Sequence, residues 1–275
     1  MPEGKNNDAA QWWKTGIIRI EPGTIEIRGY KIEELIGRVS FVEQIWLMLR
    51  GELPNEREAA LLEAALVAAV DHGPQAPSIA IARMSATCGT GINNAMASAI
   101  NALGDVHGGA GQQAMELYDA IVKRIDAGEA LGEASGGEVR ERLAKGRLIE
   151  GFGHRFHPVD PRAVRLMGLV DDARRDGHIR GCYAEIGLAV EAALAKIKSK
   201  PIPMNIDGVT AVIFCELGFP PELGRGLFIL SRSVGILAHT WEQFGQGARI
   251  KGPMPPSVPF CFTGRSSRRF EKIVP

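Results

Sequence analysis

The chain has 275 residues, 45% of them hydrophobic and 23% charged, with 33 glycines and 16 prolines. That composition excludes a disordered, collagen-like or disulfide-scaffold protein and suffices for one large domain or two modest ones. Lys plus Arg and Asp plus Glu balance at 32 each, so net charge gives no reason to expect nucleic acid or an acidic membrane surface, and an anionic substrate needs a local arginine cluster.

Residues 1–14 read as a flexible N-terminus. The opening MPEGKNNDAAQWW has no basic segment followed by an apolar one, as a secretory leader would. Between Thr15 and Arg28, two β-branched runs flank Pro22-Gly23, the pattern of a short hairpin. Ser40 precedes FVEQIWLML, a helix that stops at Gly51. Asn55, with Glu58 three residues on, has the form of a capping box before the apolar pairs Leu61/Leu62, Ala65/Leu66 and Ala69/Val70. Ala95–Leu103 is rich in small residues and ends at Gly104, as a helix packed closely on another helix should.

Asp160-Pro161 starts a helix with Ala163, Leu166, Met167, Val170 and Ala173 on one stripe. Tyr183–Lys198 ends in lysines, which suit the negative end of the helix dipole. A last long helix runs from about Pro221 to Phe244 and closes at Gly247, and residues 264–275 form a basic tail. No repeat of fixed period is present. The apolar stretches around residues 61–70 and 208–214 are far short of a bilayer span. Cys88, Cys182, Cys215 and Cys261 are scattered, with no CxxC pair and no histidines at zinc spacing, so neither a metal site nor disulfides are expected. The class is all-α, and the expected protein is soluble and cytoplasmic.

Four segments carry residues that a packed helix does not require: Asp71-His72-Gly73-Pro74, Gly104-Asp105-Val106-His107-Gly108-Gly109, Gly151-Phe152-Gly153-His154-Arg155 with Asp160-Pro161-Arg162 close behind, and Asn205-Ile206-Asp207-Gly208. Two neutral imidazoles and a carboxylate are the parts for enolate chemistry. The carboxylate moves a proton on carbon next to a carbonyl, and an imidazole donates to the enolate oxygen. Histidine suits the task because its pKa lies near neutral pH.

In order and context these segments resemble the citrate synthase superfamily. RGYKIEELIGRVSFVEQIWLMLRGELP is similar to the family's N-terminal stretch, DHGPQAPS to the segment with a substrate-binding histidine, and GDVHGGAG, GFGHRFHPVDPRA and NIDG to its three catalytic segments. SRSVGILAHTWEQ resembles the late helix with a carboxylate-binding arginine. The matches run from about residue 26 to 250. The resemblance implies a citrate synthase-like helical domain over residues 15–263, with a reduced small domain at roughly 150–240.

By the same resemblance, His107 would polarise a thioester oxygen, Asp207 would exchange the proton on the acetyl carbon, and His154 would handle the proton on the oxaloacetate-derived oxygen. His72 would hold the substrate, and Arg162 and Arg232 would pair with its carboxylates, for which a planar guanidinium is the matched donor. Arg249 or Lys251 would supply a late cation across a dimer interface, and Gly151, Gly153 and Arg155 would line the coenzyme A side. Arg155 is also readable as a merely exposed arginine. His157 and His239 read as structural, and His178 as solvated.

The implied protein is a homodimer or tetramer, with Ala95–Leu103 in the contact. It has no bound metal or organic cofactor, coenzyme A thioester as substrate, and neither nucleic acid nor membrane as partner. The short stretch between GELP and DHG departs from full-length synthases, and the forms DHGPxxxS, NIDG and GLFILSRSVGILAHTWEQ lean towards the citryl-CoA lyase branch, which includes the lyase module of ATP-citrate lyase. His107 instead keeps the synthase apparatus. The expected reaction is cleavage of citryl-CoA to acetyl-CoA and oxaloacetate. The alternatives are citrate or 2-methylcitrate synthesis, and a catalytically silent coenzyme A-binding relative.

Overall fold

The N-terminal β-branched runs pair antiparallel in the computed structural model, which describes residues 11–155, 157–252, 254–255 and 257–270. Strands β1 (Ile18–Glu21) and β2 (Thr24–Ile27) form the hairpin, with Ile18 opposite Ile27 and Glu21 opposite Thr24. A third strand, β3 (Tyr30–Lys31), adds to β2. The expectations placed on residues 1–10 and 271–275 lie outside the described residues.

The named elements that follow are all helical: α1 (Ile32–Leu35), α2 (Phe41–Arg50), α3 (Glu56–Ala69), α4 (Pro77–Thr87), α5 (Ile92–Asn101), α6 (Ala110–Asp126), α7 (Leu131–Ala144), α8 (Pro161–Arg175), α9 (Cys182–Lys198), α10 (Ile206–Glu216) and α11 (Pro221–Gln246). The all-α class is correct. The local signals act where they were read. Ser40 and Asn55 each cap through the side chain, with Glu43 and Glu58 reaching back to the cap N–H, and each cap contributes about 1 kcal/mol. Asp160 accepts from the N–H of Arg162, and Gly247 ends α11 in the left-handed conformation.

Helix α10 is the structural centre. Gly208 through Cys215 are all buried, and a helix apolar on every side is stable only inside a protein. It lies against α6, α9, α8 and α3, and its residues Val209, Val212 and Phe214 belong to the large core. A smaller core of Ile79, Ala82, Ala99, Leu103 and Ile236 joins α4, α5 and α11. Among the described residues, no helix is long and apolar enough to cross a membrane.

The loops between these helices carry the chemistry-bearing segments, and one backbone device brings two of them together. Residues 151–153 zip against 203–205: Asn205 N–H donates to Gly151 O at 2.9 Å, Gly153 N–H to Pro203 O at 2.7 Å, and Phe152 bridges Met204 antiparallel. Gly151 has φ +88°, and a Cβ there would lie 2.8 Å from Gly208 Cα. The loop can therefore touch the first turn of α10 only because both contacting residues are glycine.

Candidate active site

A cavity of about 210 Å³ is lined by His72, His107, His154, Arg162, Asp207 and Arg232, together with Thr210 and Phe228. Six of the residues singled out from sequence thus share one enclosure, although they come from six separate places in the chain. His72 follows α3, His107 lies between α5 and α6, His154 lies between α7 and α8, Arg162 and Asp207 sit in the first turns of α8 and α10, and Arg232 is within α11. Asp207 lies in the first turn of its helix. Asn205 caps that helix by accepting from Asp207 N–H at 2.9 Å and Gly208 N–H at 3.3 Å, while its own amide donates to Gly153 O.

The tautomers follow from fixed donors. Ser78 N–H donates to His107 Nε2 at 3.1 Å, with Ser78 Oγ 3.0 Å from the same nitrogen. A backbone N–H can only donate, so the neutral ring carries its hydrogen on Nδ1. Burial, and then the Arg232 charge, lower the His107 pKa and keep it neutral at pH 7. Ser78 closes the DHGPQAPS segment, so this stretch serves two histidines, one at each end. Likewise His157 N–H donates to His154 Nδ1 at 3.0 Å, which leaves the hydrogen of the neutral ring on Nε2. The rings of His72 and His154 stand edge to face with centroids 5.5 Å apart. Both have lowered pKa values, chiefly through burial.

The anion-attracting charges are Arg162 and Arg232. Arg232 is 6% exposed; its Nε–H donates to Ala69 O at 3.2 Å and its guanidinium lies 5.0 Å from the Phe228 ring centroid. Arg162 gives Nε–H and Nη2–H to the two oxygens of Asp160, at 3.0 and 2.9 Å. Asp160 was legible as a helix cap, but it does more. Its Oδ2 also accepts Ile206 N–H at 3.1 Å, tying the start of α8 to the start of α10. Burial pushes its carboxyl up, yet the bonds from Arg162 and Ile206 outweigh this and hold it below the usual range. Asp207 is the opposite case. Burial raises its pKa despite both arginines, which makes it a stronger base when ionised and a ready acid when protonated.

A second cavity, of about 660 Å³, shares Val106, Ala110 and Asp207 with the first and is lined by Gly151, Phe152, Arg155, Lys198 and Ile202. Gly153 and the cations expected late in the chain are elsewhere. Gly153 is consumed by the zip to Pro203. Arg249 lines a separate cavity beside Thr87 and Gln243, and the Lys251 N–H is bound to Thr87 Oγ1. Within the chain, therefore, neither Arg249 nor Lys251 lines the histidine cavity. Among the described residues, no group of His, Cys, Asp and Glu has metal-binding geometry.

Residues 6–61 and 54–253 match the family described as citrate synthase, C-terminal domain. Citrate synthase of Acidithiobacillus ferridurans is 30% identical over 230 residues, covering 82% of this chain and 56% of that protein. Citrate synthase of Haloferax volcanii is 32% identical over 207 residues, with coverages of 74% and 52%. The chain thus spans about half the length of the curated relatives it matches. The structure of citryl-CoA lyase from Hydrogenobacter thermophilus superposes with a TM-score of 0.82 and 33% identity, covering 94% of this chain and 97% of that one.

Proposed function

The chain belongs to the citrate synthase family, and we propose that its activity there is the cleavage of citryl-CoA to acetyl-CoA and oxaloacetate. The observation that carries this reading is likeness over nearly the whole length of both chains to a citryl-CoA lyase, whereas the curated synthases extend over about twice the matched portion.

The geometry supplies a role for each group. Arg162, Arg232 and His72 hold the carboxylates of the oxaloacetate portion, and the adjoining cavity takes coenzyme A, with Arg155 and Lys198 as its cations. His154 takes the proton from the tertiary hydroxyl, for which the His157 N–H must release Nδ1, the nitrogen that carries the lone pair. The carbon–carbon bond then breaks, leaving a ketone and an acetyl-CoA enolate. His107 holds the enolate oxygen by Nδ1–H, and protonated Asp207 delivers its proton to the enolate carbon. Between turnovers His154 releases the proton it gained and Asp207 takes one up, so the proton count closes and both groups return to their starting states.

Citrate synthesis uses the same steps reversed and then hydrolyses the thioester; the named relatives and the presence of His107 favour that second reading. Synthetic citryl-CoA offered to the purified protein separates the two. The expected products are acetyl-CoA and oxaloacetate, the latter read by coupling to malate dehydrogenase. Citrate plus free coenzyme A establishes hydrolysis instead, and no product removes both readings.

The same reading makes the protein a homodimer or larger. Helix α11 exposes Leu230, Val234, Leu237 and Trp241 at helical spacing, and α5 exposes the small residues Ala97 and Ser98. An apolar stripe of this kind is an interaction surface in a water-soluble protein. Light scattering at micromolar concentration is expected to give at least twice the chain mass; a monomer would reject the assignment.

A further inference from the structure

Helix α11 does more than present Arg232. Seven residues further on, His239 makes two ring contacts that reach across the fold. Arg83, on α4, places Nη1 3.2 Å from His239 Nδ1, and His239 Nε2 lies 3.3 Å from the carboxylate oxygens of Asp71. A guanidinium only donates, so Nδ1 accepts and the ring hydrogen sits on Nε2, aimed at Asp71. Both side chains are largely shielded, with exposures of 14% for Arg83 and 18% for His239. Arg83 is itself fixed from its far side by Glu242 and by Gln246, whose Oε1 is 2.9 Å from Nη2.

Asp71 directly precedes His72. Its Oδ2 accepts the Gly73 N–H at 3.1 Å, and its carboxyl lies below the usual range because the N–H groups of Gly73 and His72 and the imidazole of His239 together outweigh burial. The carboxylate thus closes a turn around the residue that projects into the histidine cavity, and Gly73, at φ +85°, completes it. The turn that carries His72 is held by the Asp71 carboxylate, and that carboxylate is held from its other side by His239.

We propose that Arg83, His239 and Asp71 form a relay that orients the His72 imidazole, which makes Arg83 and His239 positioning residues of the site. This rests on the reading of His72 as a holder of the oxaloacetate portion. A clamp serving only to join α4 to α11 has no need to end on the turn that carries His72; an orienting relay does.

The test uses His239→Leu, which removes both ring contacts, and His239→Gln, whose amide restores a donor near the Nε2 position. Oxaloacetate and coenzyme A affinities are measured by calorimetry, and the imidazole nitrogens by NMR. His239→Leu is expected to weaken oxaloacetate about tenfold, the effect of losing a charge-assisted hydrogen bond, to leave coenzyme A affinity unchanged, and to shift the His72 ring resonances. His239→Gln is expected to recover oxaloacetate binding to within about threefold of the native protein. Unmoved His72 resonances overturn the relay whatever the native protein binds, as does a parallel loss of both ligands, which marks general loosening. A native protein that takes no oxaloacetate, while the His72 resonances still move in His239→Leu, retains the relay and removes the reading of the site.

Discussion

Asp207→Asn is expected to lower turnover of citryl-CoA by about a thousandfold while leaving oxaloacetate and coenzyme A affinities within about threefold of native, since general acid–base catalysis contributes 10²–10⁴-fold. The amide has nearly the volume of the carboxyl, so it fits the same wall between the two cavities, but it carries no proton to deliver to carbon. The substitution also separates function from folding. Burial raises the Asp207 pKa, so ionising the carboxyl works against the folded state. A group of this kind favours folding most when protonated, and that advantage declines as pH rises from its unfolded value towards its folded one. Removing the charge is therefore expected to leave melting at pH 7 unchanged or slightly higher. Activity falling while stability holds identifies a residue retained for chemistry. Turnover within tenfold of native would take the proton transfer away from Asp207.

Much of the candidate site was legible because its parts are local. A histidine among glycines, an Asp-Pro helix start and an Asn before Ile-Asp-Gly each announce themselves within a few residues. Five residues of the four segments, His72, His107, His154, Arg162 and Asp207, line one cavity together with Arg232, which the family resemblance names. The missed features are contacts between distant residues. Asp160 reads as a cap for its own helix, yet the same carboxylate accepts the N–H of Ile206 from the start of another helix. Ser78 sits in a segment read for His72 but fixes the tautomer of His107. His239 was assigned a structural part, and its contacts with Arg83 and Asp71 span more than half the chain. No pattern in the sequence shows which of these pairings forms.

The same division holds for the fold. Helices α2, α3 and α8 are legible at their starts, where Ser40, Asn55 and Asp160 cap through the side chain. Helices α4 and α7 begin without a side-chain cap, and α7 carries Gly132, Gly136 and Gly137 in its length, residues that each disfavour a helix by up to about 1 kcal/mol. Packing against α9 and α6 overrides that preference. Strand β3 has two residues and no alternation to read; its partner β2 defines it.

Asp160→Asn is the second substitution with a large expected effect, and it acts on stability and recognition together. The carboxylate is 1% exposed and accepts the N–H and both fork nitrogens of Arg162 as well as the N–H of Ile206. An asparagine retains one oxygen and turns an NH₂ towards a partner that can itself only donate. Breaking a buried, hydrogen-bonded ion pair from one side destabilises by about 3 kcal/mol, which for a chain of this size lowers the melting temperature by roughly 6–12 °C. Arg162, released from its fork, no longer meets a carboxylate in a fixed plane, and kcat/KM is expected to fall about a hundredfold, mostly through KM. The stability loss has a defined pH signature. A carboxyl held below its usual range stabilises the fold fully above its unfolded pKa near 4, and the contribution disappears as pH falls through the folded value. The difference in melting temperature between native and Asp160→Asn proteins should therefore be full at pH 7 and shrink in acid. A difference that stays constant down to the acid limit would mean that shape rather than charge holds α8 to α10. In that case Arg162→Gln, which keeps Asp160 and removes the cation, should be as stable as the native protein.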